Sequence, residues 1–140
     1  MKRIEAITVD ILLVEDNPGD VRLTKEALKD AKVLNEIYVA KDGVEAMEFL
    51  HKKGSFVEAP TPDMILLDLN LPRKDGREAL VEIKAKPALQ HIPIIILTTS
   101  KEQKDIAFSM KAGAELFITK PATFDEWVEM IKSLEENWLR

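Results

Sequence analysis

Glu15, Asp16, Asp68, Thr98 and Lys120 are the side chains of this sequence whose types and placement could do chemistry together. Each stands at or just past the end of a strongly apolar run. Three carboxylates drawn into one place repel one another, so their ionised forms need a counter-charge. An oxygen-only set without histidine or cysteine favours a hard cation, most simply Mg²⁺, with Mn²⁺ as a substitute. Such an ion neutralises phosphoryl oxygens while an aspartate carboxylate attacks phosphorus. Lys120 adds a mobile point charge for another phosphoryl oxygen, and Thr98 adds a hydroxyl donor. No histidine lies near these positions to act as a general base. Phosphoryl transfer to a protein carboxylate therefore fits the set better than hydrolysis of an organic substrate.

The elements that must bring these residues together follow from the apolar pattern. Residues 7–14 form a β-rich run, and the continuous apolar stretch 11–14 suits a strand covered on both faces. Asn17 is placed to cap a helix with Pro18 near its first position, and Val21, Thr24, Leu28 and Ala31 recur at helical spacing. A short strand at about 36–40 is broken by Asp42 and Gly43. Val44, Met47 and Leu50 mark a second helix with Gly54 beyond its end, and Pro60 and Pro62 predict a loop over 54–62. Residues 63–69 make a buried strand ending near Asp68. A turn from Pro72 to Gly76 leads into a helix carrying Leu80 and Ile83, which stops near Pro87. The run 93–99 is the strongest strand signal. Ser100 is expected to cap the next helix with Gln103 as its capping-box partner, and Ile106 and Met110 to mark its inner face before Gly113 ends it. A last strand over 115–119, the turn at Lys120 and Pro121, and a helix carrying Phe124, Trp127, Ile131 and Leu134 complete the chain.

Five strands alternating with five helices predict an α/β domain whose right-handed crossovers cover both faces of a parallel sheet. Ligands of such sheets sit beyond the carboxyl ends of the strands, which is where the five side chains fall. Acidic loops and Lys-Pro turns also occur at strand ends without a ligand. That leaves open a flavodoxin-like domain with another ligand or a binding role, although no glycine-rich phosphate loop or GxGxxG fingerprint supports it.

Composition narrows the class. A chain of 140 residues with 46% apolar and 32% charged side chains is an ordinary globular domain, read here as a single unit over 1–140 without an output domain. The absence of cysteine removes disulfides, thiolate catalysis and cysteine metal sites. A net charge of −5 with dispersed lysines argues against a nucleic-acid footprint. The apolar runs are strand-sized, so no membrane span is expected, and Glu5 and Asp10 interrupt any signal peptide after Met1, Lys2 and Arg3, which predicts a cytoplasmic protein.

Glu15 and Asp16 before Asn17 and Pro18, Asp68 with Asn70, Pro72 and Gly76, Thr98 to Ser100, and Lys120 with Pro121 together resemble response-regulator receiver domains over about residues 10–135. The resemblance implies a flavodoxin-like (βα)5 three-layer sandwich with a central sheet of order 2-1-3-4-5. It implies that Asp68 accepts a phosphoryl group from the phosphohistidine of a sensor histidine kinase. It further implies that Asp16, Asp68 and the Asn70 carbonyl bind Mg²⁺ directly and Glu15 through water, that Lys120 pairs with the phosphoryl group, and that the Lys120–Pro121 peptide is cis. Thr98 and Phe117 resemble the family's switch pair, and Asn70 and Ser100 occupy positions that tune the access of attacking water. The signal would pass to a downstream protein target or phosphotransfer protein, or through a homodimer. A pseudo-receiver serving as a constitutive adaptor, and a phosphatase toward small substrates, are the competing readings.

The residues around Asn17, Asp68 and Leu97 are most similar to small standalone regulators paired with phytochrome-type and hybrid sensor kinases. Thr99 departs from the small residue common after the switch threonine, and Ala122 from the aromatic common after Lys-Pro. His51 and His91 are expected at surface or helix-end positions, Trp127 in the core, and Trp138 either on the parent domain or at a docking surface. Lys84, Lys86, Lys101, Lys104 and Lys111 read as a solvated mixed surface.

Overall fold

The computed structural model describes residues 8–139; positions 1–7, with Met1, Lys2, Arg3 and Glu5 among them, lie outside these. Strands β1 (Val9–Val14), β2 (Asn35–Ala40), β3 (Met64–Leu67), β4 (Ile94–Thr98) and β5 (Leu116–Thr119) alternate with helices α1 (Pro18–Asp30), α2 (Gly43–Leu50), α3 (Gly76–Lys84), α4 (Gln103–Lys111) and α5 (Phe124–Trp138). The strands form one parallel sheet in the order β2-β1-β3-β4-β5, the flavodoxin-like arrangement expected.

The central strands β1, β3 and β4 are apolar almost throughout because both faces are covered, whereas the edge strands β2 and β5 are mostly half-buried. Leu12, Val14, Ile65, Leu67, Ile94 and Ile96 point to the side of α2 and α3. Ile11, Leu13, Met64, Leu66, Ile95 and Leu97 point to the side of α1 and α5. A one-residue slip in any strand would exchange these sets, so the two cores pin the register.

Four helices begin on a side chain that accepts a backbone N–H of the first turn: Asn17 from Asp20, Asp42 from Glu45, Asp75 from Arg77 and Thr123 from Glu126. Helix α4 departs from expectation. It starts after Glu102, whose side chain makes no capping bond, so Ser100 is not its cap. Its inward side chains are Asp105 and Ser109, while Met110 is 44% exposed. Among the described residues, no α4 side chain joins either apolar cluster. The helix is rotated by about one residue from the expected phase because Asp105 has charged and hydroxyl partners beneath it, described below. The loop over 54–62 contains a 3₁₀ turn, Gly54–Phe56.

Close packing demands glycine at position 76, as it does at Gly43 against the Lys74 carbonyl. A Cβ on Gly76 would lie 2.0 Å from the Asp68 carbonyl oxygen, and the Gly76 N–H donates to the Leu69 carbonyl at 2.9 Å. The start of α3 is thereby pressed against the segment that carries Asp68.

Candidate phosphoacceptor and metal site

The sheet ladder itself holds the acidic rim. The Glu15 N–H donates to the Ala40 carbonyl at 2.9 Å, and the Asp68 N–H to the Val14 carbonyl at 3.1 Å. Both acids thus stand one residue past paired strand ends, Val14 being opposite Leu67. Glu15 and Asp68 are buried at 3% and 6% exposure, whereas Asp16 is exposed. One carboxylate oxygen from each of the three lies within 4.8 Å of the others.

Lys120 reaches this cluster from the end of β5. Its N–H donates to the Thr98 carbonyl at 2.7 Å, which fixes its backbone to the neighbouring strand. Its Nζ lies 2.8 Å from Glu15 Oε1, 2.7 Å from Asp20 Oδ2 and 3.1 Å from Asp68 Oδ2. Asp20, in the first turn of α1, is a member that sequence reasoning missed: an acid there reads as an ordinary partner of the helix N-terminus. Three carboxylates, Glu15, Asp20 and Asp68, thus surround one ammonium group, and Asp16 adds a fourth acid beside Glu15 and Asp68. The excess negative charge and the all-oxygen donor set fit a divalent hard cation.

The electrostatics agree with this crowding. Burial pushes the Glu15 carboxyl above its usual range, only partly opposed by its hydrogen bond from Lys120. Burial alone would lower the Lys120 ammonium, but the bonds to Asp20 and Glu15 and the charge of Asp68 outweigh it and raise it. The lysine is therefore held charged at neutral pH.

Thr98 is fully buried, and its Oγ1 accepts the Ser100 N–H at 3.4 Å. The β4–β5 register sets Phe117 opposite Ile96 and Thr119 opposite Thr98. Thr98 and Phe117 consequently lie on the same face of the sheet, and half-buried Phe117 packs against the core beneath α2 and α3. The Asn70 N–H donates to Asp68 Oδ1 at 3.4 Å. The expected cis peptide at Lys120–Pro121 is not found: no described peptide is cis, and trans is the ordinary state of an X–Pro bond.

Two further ion-pair groups flank the rim, and neither was foreseen. Arg73 donates from Nε to Asp42 Oδ2 at 2.7 Å and from Nη2 to Oδ1 at 3.2 Å, joining the turn after β3 to the start of α2. Arg77, on α3, binds Asp75 and Asp105. His51 closes α2 as its C-cap and His91 is exposed. Trp127 is buried and donates its Nε1–H to the Pro121 carbonyl at 3.1 Å, while Trp138 packs partly buried on the α1–α5 core.

This architecture has close parallels. The chain is 43% identical over 129 residues to the response regulator Rcp1 of Synechocystis, covering 92% of this chain and 88% of that protein. The phosphorylated cyanobacterial phytochrome response regulator RcpA has a similar structure, with a TM-score of 0.89, 45% identity and 95% of each chain covered. The Mn²⁺-bound form of Rcp1 matches with a TM-score of 0.86 at 42% identity, over 94% of this chain and 95% of that one. Among the described residues, no helix is long and apolar enough to cross a membrane. The family model for the response regulator receiver domain matches residues 11–132, so the chain belongs to the response regulator receiver domain family.

Proposed function

We propose that Asp68 accepts a phosphoryl group from the phosphohistidine of a sensor histidine kinase, of phytochrome-linked or hybrid type, in the cytoplasm. The observation that carries this reading is the placement of Lys120 Nζ among Glu15, Asp20 and Asp68, with Asp16 completing an oxygen cluster. Glu15, Asp16, Asp68 and the Asn70 carbonyl would hold Mg²⁺, or Mn²⁺ as in the Rcp1 structure. When bound, the ion supplies charge neutralisation for the phosphoryl oxygens. An Asp68 oxygen forms the bond to phosphorus as the nitrogen–phosphorus bond of the donor breaks. Lys120, released from part of its carboxylate shell, then pairs with a phosphoryl oxygen.

Thr98 and Phe117 relay the event. The Thr98 hydroxyl turns toward the new anion, and Phe117 moves into the space on the same sheet face. The surface of α4, β5 and α5 changes with them and is read by a downstream protein, a phosphotransfer protein or a second copy of the chain. Intact mass spectrometry tests the first step, with Mg²⁺ and either phosphoramidate or a phosphorylated phytochrome-type kinase. The wild type gains one phosphoryl mass and Asp68→Ala gains none; no gain from either donor on the wild type overturns the proposal.

A further inference from the structure

Asp105 is buried at 5% exposure on the inner side of α4, and its two oxygens serve different donors. Oδ1 accepts Nε–H and Nη2–H of Arg77 at 3.0 and 2.9 Å. Oδ2 accepts the Ser100 hydroxyl at 2.6 Å, the length of a charge-assisted bond. The Ser100 bond first, with Arg77 adding to it against burial, holds the Asp105 carboxyl below the usual aspartate range. At neutral pH it is a carboxylate and can only accept.

A serine hydroxyl has one proton. With that proton given to Asp105, Ser100 Oγ offers only lone pairs to everything else. One meets the Glu102 N–H at 3.3 Å. The other is left for a cavity of about 450 Å³ that Ser100 shares with Asn70 and Thr99. Asp68 does not itself line this cavity, but Asn70, which does, donates its N–H to Asp68 Oδ1 at 3.4 Å and links the two. The Ser100 backbone is itself fixed, its N–H on Thr98 Oγ1 at 3.4 Å and its carbonyl accepting the Thr119 hydroxyl at 3.2 Å.

We propose that Asp105 is a positioning residue that fixes the polarity of Ser100, so that the hydroxyl accepts a hydrogen bond from the water that hydrolyses the phosphoryl group on Asp68. This rests on the reading of Asp68 as phosphoacceptor. In that hydrolysis the water oxygen bonds to phosphorus while the bond from phosphorus to the Asp68 oxygen breaks. Asp68 keeps the electron pair as a carboxylate, inorganic phosphate departs, and the proton of the water passes to solvent. Ser100 aims the water, and Asp105 with Arg77 aims Ser100.

Asp105→Asn is the sharp test because it keeps the shape and reverses the polarity. Arg77 has only donors, so it takes the new amide oxygen and leaves the amide N–H₂ facing Ser100. Ser100 then accepts from the amide and turns its own proton toward the cavity. The full chain is loaded with phosphoramidate and Mg²⁺, desalted, and followed by intact mass. Asp105→Asn and Ser100→Ala each slow phosphoryl loss by about three- to tenfold, the worth of one ordinary hydrogen bond, and the double variant is no slower than Ser100→Ala. A merely structural Asp105 predicts decay at the wild-type rate in the isosteric variant, or effects that multiply in the double variant, and either result overturns the proposal. A wild type that never gains phosphoryl mass overturns the parent reading, and this one with it; normal loading with unchanged decay overturns this one alone.

Discussion

Lys120 Nζ sits 2.7 Å from Asp20 Oδ2 and 3.1 Å from Asp68 Oδ2, so the first turn of α1 holds the ammonium at least as closely as Asp68 does. The lysine is shared, and moving its ammonium toward any new anion must be drawn from all of its carboxylate partners. Removing it exposes what it compensates. Lys120→Met leaves buried Glu15 and Asp68 without a counter-charge, which costs about 3 kcal/mol of stability when no divalent ion is present. Mg²⁺ then raises the melting temperature more in the variant than in the wild type. Urea and thermal unfolding in EDTA and in Mg²⁺ check both halves, and equal Mg²⁺ shifts would contradict them.

Gly76→Ala forces a methyl group to within 2.0 Å of the Asp68 carbonyl, a backbone contact that no rotamer relieves. The start of α3 and the Asp68 segment must separate. The variant is destabilised by about 2–3 kcal/mol, in the range of overpacked cores, and takes up phosphoryl more slowly. Denaturant titration and loading rates from phosphoramidate measure the two effects.

Asp42 gives the chain an acid-dependent contribution. Burial pushes its carboxyl up, but the Arg73 bonds and the Glu45 N–H outweigh this and bring it below the ordinary 3.8. A carboxyl depressed in the folded state stabilises above its unfolded value and loses that contribution as pH falls through the folded one. Asp42→Asn keeps the helix cap and removes the ion pair. The stability gap between wild type and variant is therefore constant from neutral pH down to about 5 and narrows below about 4. Urea unfolding across that range checks the sign; a gap that widens in acid would refute it.

The rotated phase of α4 has its own signature. Ser109 Oγ is buried without a hydrogen-bond partner among the described residues, whereas Met110 is 44% exposed. Ser109→Ala is neutral or stabilising by up to about 1 kcal/mol, since it removes an unsatisfied hydroxyl. Met110→Lys changes stability by less than about 0.5 kcal/mol. Thermal melts that rank Met110→Lys as the damaging variant would restore the original phase.

The acidic rim and the sheet were legible because each announces itself locally. An uninterrupted apolar run that stops on an acid, a hydroxyl or a lysine marks both a buried strand and the residue at its end. Glu15, Asp68, Thr98 and Lys120 were visible on that ground. Asp20 was not, since an acid in a first helical turn has a sufficient local reason to be there. Arg73 with Asp42 and Arg77 with Asp105 join residues 31 and 28 positions apart, and nothing in either neighbourhood names the partner. In α4 the apolar residues fall on several sides, so periodicity favoured Ile106 and Met110. The tertiary contacts of Asp105 decided the orientation instead.

The ladder bonds that carry Glu15 and Asp68 give the site two halves of unequal stiffness. The acids are as immobile as the centre of the sheet, because displacing them breaks backbone pairs between β1, β2 and β3. Lys120 and the Thr98–Ser100 segment lie outward, on the strand pair that ends at the sheet edge. Displacing the acids disturbs two strand pairs and displacing Lys120 disturbs one, so a charge placed on Asp68 meets less backbone resistance on the β4–β5 side.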